Sequence, residues 1–134
     1  MKRIETISVI DDDPITVFGI TKMLNSLDIC DTITTYGNGQ QAINSIKERI
    51  AAGLGVPEVI FLDINMPIMD GWQFLEEFIA IPLEVTVRIN IVTSSIDPTD
   101  LQNWEYYKEK THHLLDFKNK PICRKDIEEI TRAA

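Results

Sequence analysis

Along the chain, short runs of β-branched and aliphatic residues alternate with stretches whose apolar positions recur every three or four residues. The first run, Ile4–Ile10, leads into Asp11-Asp12-Asp13-Pro14. Asp13 suits an N-cap and Pro14 the first helical position, so a helix is predicted from there, with Val17, Ile20, Leu24 and Leu27 on one face. A second strand is predicted over 32–36. Gly37-Asn38-Gly39 then turns the chain into a helix carrying Ile43, Ile46 and Ile50. Gly53, Gly55 and Pro57 break that helix, and Val59–Leu62 reads as a fully buried central strand. After a loop over 63–71, the stretch 72–81 places Phe74, Leu75, Phe78 and Ile79 at helical spacing. A fourth strand is expected over 85–92, ending near Thr93. Asp97-Pro98 opens a fourth helix by the same cap-then-proline logic, 114–117 is a weak fifth strand, and 122–132 a short last helix. Five βα units without repeats or low-complexity tracts predict an α/β fold, a doubly wound five-stranded parallel sheet with five helices.

At 134 residues the chain is expected to form one domain over 1–134, with no output domain after the fifth helix. Hydrophobic residues make up 44% of it, enough for a core, and charged residues 25%. A formal charge of −8 argues against nucleic acid or an anionic membrane surface as partner, since phosphate contacts need clustered Lys and Arg. Neither a signal peptide nor a run of transmembrane length is evident, so a cytoplasmic protein is expected. Cys30 and Cys123 lie far apart without metal-like spacing and read as idle thiols.

In an open parallel sheet, functional groups gather at the carboxyl ends of the strands. Those ends carry Asp11 and Asp12 on the first strand, Asp63 on the third, Thr93 on the fourth and Lys120 after the fifth. Three converging carboxylates repel one another unless a hard cation relieves them, and an oxygen-only set without His or Cys suits Mg²⁺ rather than zinc. A carboxylate beside Mg²⁺ is also a competent nucleophile towards phosphorus, giving an acyl phosphate. The transferred group has three equatorial oxygens to neutralise, and Mg²⁺, the Thr93 hydroxyl and the Lys120 ammonium can each take one.

The strings Val9-Ile10-Asp11-Asp12-Asp13-Pro14, Phe61-Leu62-Asp63-Ile64-Asn65-Met66-Pro67-Ile68-Met69-Asp70-Gly71, Val92-Thr93-Ser94-Ser95 and Lys120-Pro121 closely resemble the response-regulator receiver family, in order and over nearly the whole chain. The resemblance implies a flavodoxin-like sheet with strand order 2-1-3-4-5. It makes Asp63 the phosphoacceptor, Asp12 a direct Mg²⁺ ligand, Asp11 its partner through water, and Asn65 the donor of a backbone carbonyl to the metal. Thr93 and Lys120 resemble the family's switch hydroxyl and phosphate-binding lysine, and Phe117 its aromatic rotamer switch. The implied partners are a sensor histidine kinase or a histidine phosphotransfer protein, then a downstream protein or a second, phosphorylation-dependent copy of this chain. The implied output is the face formed by the fourth helix, fifth strand and fifth helix. The chain would be a phosphoacceptor with slow autodephosphorylation, not a turnover enzyme. Two segments depart from the family pattern: the connection over 51–57 is longer, and Thr111-His112-His113-Leu114 stands where small residues and a glycine are common.

Several residues have plainer readings. Asp13 is expected to cap a helix only, and Asp70 to serve as a turn or cap residue. His112 and His113 are expected at the surface, because adjacent residues face apart and no further metal ligand is evident. Trp104, Tyr106 and Tyr107 divide between packing and a partner-binding patch. Two other functions compete. A Mg²⁺-dependent phosphatase working through an aspartyl phosphate wants a second Asp two residues after its nucleophile, where Asn65 stands, and usually a cap domain. A flavodoxin-like nucleotide or flavin binder needs a Gly- or Ser/Thr-rich phosphate loop after the first strand, where three acidic residues would repel phosphate.

Overall fold

The computed structural model describes residues 3–132. It contains β1 (Ile4–Ile10), α1 (Pro14–Leu27), β2 (Cys30–Tyr36), α2 (Gly39–Ala51), β3 (Val59–Leu62), α3 (Gly71–Ile79), β4 (Arg88–Thr93), α4 (Pro98–Lys110), β5 (Leu114–Asn119) and α5 (Arg124–Arg132). The strands form one parallel sheet in the order β2-β1-β3-β4-β5. The order reverses between β1 and β3, which leaves a crevice at their carboxyl ends.

Each face of the sheet has its own core. Ile20 and Leu24 of α1 and Ile127 and Ile130 of α5 cover Ile7, Val9, Phe61 and Val92. Ala42, Ile43 and Ile46 of α2 and Phe74, Leu75 and Phe78 of α3 cover Ile10, Ile60, Leu62, Ile89 and Ile91. β1, β3 and β4 bury both faces, hence their nearly continuous apolar runs.

Caps set most boundaries. The Asp13 carboxylate accepts the Ile15 N–H at the start of α1, and that of Asp97 accepts the Thr99 N–H at the start of α4. Asp70 caps α3 in a reciprocal capping box with Gln73. Five elements differ from the pattern-based expectation. β2 begins at Cys30, because α1 ends in a left-handed Asp28 (φ 48°) that reverses the chain at once. α3 stops at Ile79, short of Pro82, which disfavours helix in the residue before it. β4 begins at Arg88 rather than at residue 85, since the Val87 N–H is taken by the His113 ring instead of a neighbouring strand. β5 runs on to Asn119, paired with Thr93, and α5 starts only at Arg124, where Asp126 accepts the Cys123 N–H.

His113 is a correction. Only 4% exposed, it tilts against Phe78 with ring centroids 5.1 Å apart, and its Nδ1 accepts the Val87 N–H at 2.9 Å. His112 is exposed, as expected, with Nε2 2.9 Å from the Val85 carbonyl. Both cysteines are free thiols. No helix among the described residues is long and apolar enough to cross a membrane.

Candidate functional site

The carboxyl ends of β1 and β3 bring three carboxylates together, with oxygens of Asp11, Asp12 and Asp63 all within 4.8 Å of one another. Backbone bonds fix both strand ends: Asp63 N–H donates to the Ile10 carbonyl of β1 at 2.9 Å, and Asp11 N–H to the Tyr36 carbonyl at the end of β2 at 3.0 Å. Asp11 and Asp63 are buried, each 5% exposed, whereas Asp12 faces solvent. Asp11 Oδ1 accepts the Asp13 N–H at 2.9 Å, which turns its other oxygen towards Lys120. Asp63 Oδ1 accepts the N–H of the next residue, Ile64, at 2.9 Å.

Lys120 reaches over from the far side of the sheet. Its Nζ lies 3.1 Å from Asp11 Oδ2 and 3.7 Å from Asp63 Oδ1. It precedes a cis peptide to Pro121, and its N–H donates to the Thr93 carbonyl at 2.8 Å, so β4 and the turn after β5 share one anchor. Burial drives the Asp63 carboxyl up to about 6, the Asp11 charge adds to the shift, and Lys120 opposes it. The Asp11 carboxyl is raised by burial too, against its bonds from Asp13 and Lys120. Burial works against the Lys120 charge, but the contacts with Asp11 and Asp63 outweigh it and raise the ammonium above its ordinary range. Buried, crowded, oxygen-only donors whose ionised forms are costly fit a hard divalent cation, and Asp11, Asp12 and Asp63 are the side chains that could hold it.

The loop after β3 curls back tightly. A Cβ on Gly71 would lie 2.3 Å from the Asp63 carbonyl oxygen, so only glycine permits this approach. Asn65 is exposed on the same loop. Thr93, at the end of β4, is fully buried, and its Oγ1 accepts the Ser95 N–H at 3.0 Å. Phe117 of β5 is half-buried against Trp104 of α4 and lines a cavity of about 380 Å³ together with Ser95, Ile96, Pro98 and Leu101. Asp11, Asp12, Asp63, Thr93 and Lys120 therefore lie at the carboxyl edge, with Asn65 on the loop after β3, whereas Phe117 lies within β5, paired with Ile91. Trp72, Ser95 and Asp100, which join in one hydrogen-bonded chain beside Thr93, carry no local signal because their contacts link α3, the loop after β4 and α4.

Fold and site together define a doubly wound α/β domain with an acidic, cation-competent centre at the switch of its sheet. The family profile for the response regulator receiver domain matches residues 7–132, and the chain belongs to that family. It is 28% identical over 122 residues to a two-component response regulator of Arabidopsis thaliana, a match spanning 91% of this chain and 21% of that protein. It is 40% identical over 122 residues to a protein-glutamate methylesterase/protein-glutamine glutaminase of Methanococcoides burtonii, spanning 91% of this chain and 31% of the relative. The chain thus covers a third or less of these relatives' lengths. A two-component response regulator from Cytophaga hutchinsonii superposes with a TM-score of 0.79 at 26% identity, covering 98% of this chain and 97% of that one. The chemotaxis protein CheY4 of Vibrio cholerae superposes at 0.75 with 16% identity, covering 97% and 98%, a likeness of fold alone. As a receiver domain, the chain is a phosphoacceptor module of two-component signalling.

Proposed function

We propose that Asp63 accepts a phosphoryl group from a histidine kinase or a histidine phosphotransfer protein in a Mg²⁺-dependent reaction. The chain would then signal through a change at the face built from α4, β5 and α5. The observation that carries this reading is the convergence of Asp11, Asp12 and Asp63 under the Lys120 ammonium, at the ends of strands that no local interaction would bring together.

In the transfer, an Asp63 oxygen forms a bond to phosphorus as the donor's P–N bond breaks, and the leaving imidazole keeps that electron pair. The nucleophile must be ionised, and Lys120 favours the ionised form against the burial that opposes it. Lys120 is close enough to Asp63 to pair with an oxygen of the group it receives, while Asp11 keeps the ammonium charged and aimed. The Thr93 hydroxyl accepts from Ser95, so its own O–H remains available to donate to a second oxygen. When bound by Asp11, Asp12, Asp63 and the Asn65 carbonyl, Mg²⁺ supplies Lewis-acid neutralisation of a further oxygen. Asp12 is the natural direct ligand, being the exposed carboxylate without a competing ammonium. Phosphorylation adds negative charge beside Thr93, drawing its hydroxyl inward and letting Phe117 turn towards the space it leaves. Output then passes to a separate protein or to a second copy of this chain.

Intact mass after incubation with Mg²⁺ and acetyl phosphate tests the acceptor. The wild type gains one phosphoryl mass and Asp63→Asn gains none; full labelling of the Asn variant would overturn the assignment.

A further inference from the structure

A chain of hydrogen bonds runs from Thr93 through Ser95 and Asp100 to Trp72, next to the loop that follows Asp63. The Ser95 N–H donates to Thr93 Oγ1 at 3.0 Å, occupying an acceptor lone pair and leaving the O–H as the donor. Ser95 is itself held on several sides. Asn119 Nδ2 donates to its carbonyl at 3.1 Å, and the Asp97 N–H to its hydroxyl oxygen at 3.2 Å. The hydroxyl proton goes to Asp100 Oδ2. The other oxygen of Asp100 accepts the Trp72 indole N–H at 3.0 Å. Trp72 follows Gly71, whose N–H donates to the Ile64 carbonyl at 2.8 Å, directly after Asp63. The indole is further fixed by stacking on Tyr107 at 5.8 Å. One carboxylate in the first turn of α4 therefore ties the strand end bearing Thr93 to the loop bearing Asp63.

We infer that Asp100 is a positioning residue for phosphoryl transfer to Asp63, aiming the Thr93 hydroxyl by clamping Ser95 between α4 and Trp72. The inference rests on the phosphoacceptor reading above. A threonine has more than one accessible side-chain rotamer, and a hydrogen-bond partner selects among them. Ser95 provides that partner only while its own position is held, and its neighbours Ser94 and Ile96 are exposed and offer no burial to hold it. An acidic residue in the first turn also favours any helix, so a merely structural role for Asp100 has to be separated from a positioning one.

A double-mutant cycle with Thr93 makes the separation. Initial rates of labelling are read by intact mass in Mg²⁺ and saturating acetyl phosphate. Removing one preorganised donor costs about 10²–10³ in rate, and misaiming it costs part of that, so Asp100→Ala should slow labelling about tenfold. The Mg²⁺ concentration for half-maximal labelling should stay at the wild-type value. In the Thr93→Ala background, Asp100→Ala should cause no further loss, because the hydroxyl it aims is gone. Trp72→Phe, which keeps the stack on Tyr107 but loses the N–H, should give a smaller loss that also vanishes in the Thr93→Ala background. Wild-type labelling with Asp100→Ala at the wild-type rate, or with losses that add in the double variant, overturns the inference and leaves the phosphoacceptor reading standing. If Asp100→Ala does not fold, Trp72→Phe decides by the same criterion. An unlabelled wild type overturns the phosphoacceptor reading and the inference with it.

Discussion

Asp63 holds its proton up to about pH 6, while His113 loses its own near 4, and in both burial is the largest cause. Loss of water disfavours whichever form is charged, so it pushes an acid up and a base down. At His113 the geometry agrees: Nδ1 is engaged as an acceptor, and buried Nε2 has no partner among the described residues. The His112 and His113 rings lie against each other, centroids 4.1 Å apart, yet only one of the two is buried. Nothing local to the pair says which, and only the closeness of Phe78 and Val87 decides it. The consequences for stability run in opposite directions. Asp63, raised in the fold, contributes stability present at low pH and lost as pH rises through about 6. His113, depressed in the fold, contributes stability present above its ordinary value of 6.5 and lost as pH falls from there towards 4, with a slope of at most about 1.4 kcal/mol per pH unit. His113→Asn keeps an acceptor for Val87 without the titration. The stability difference between wild type and this variant, from urea unfolding, should therefore shrink between pH 7 and pH 4.5; a constant difference would show that the ring does not titrate in that window.

Among the helices, α4 is anchored differently from the others. α3 buries Phe74, Leu75 and Phe78, but no residue of α4 is fully buried. Its fastenings are specific: the Trp104 indole donates to the Leu115 carbonyl at 2.9 Å, Tyr107 stacks on Trp72, and Asp100 bridges Trp72 and Ser95. An element held by a few directional contacts rather than apolar burial opens at lower free energy than the core around it. That suits α4 to be the bistable part of the proposed output face, with Phe117 and its cavity beneath it. In NMR spectra, a beryllofluoride phosphoryl mimic should shift resonances from Asp63 through Thr93 and Phe117 to residues 97–107. Perturbations confined to the acidic pocket would make the domain a phosphate sink or relay rather than a switch. The start of α4 was legible in Asp97-Pro98, since capping is a contact between near neighbours. Its face was not, because Leu101, Trp104 and Tyr107 only partly define a stripe and their partners lie on α3 and β5.

At the scale of the whole molecule, folding forces three carboxylates together in a chain whose formal charge is already −8. A cation bound there stabilises the folded state by mass action: at tenfold over Kd the gain is about 1.4 kcal/mol, on the order of 5 °C in Tm for a domain of this size. Calorimetry with and without Mg²⁺ should show this rise in the wild type and lose most of it in Asp12→Ala; an undiminished rise in the variant would put the cation elsewhere. The alternation of strands and helices, the aspartate-then-proline starts of α1 and α4 and the acidic and Met-Pro strings were all readable from sequence. They express periodicity, capping and turn chemistry, which act over a few residues. The strand order came from the family resemblance those strings carry rather than from any local pattern. Three things waited for the tertiary structure: which of two histidines is buried, how Lys120 divides itself between Asp11 and Asp63, and the path from Trp72 through Asp100 and Ser95 to Thr93. Each depends on distances between side chains of different elements, and sheet register and helix packing set those distances, whereas spacing along the chain does not.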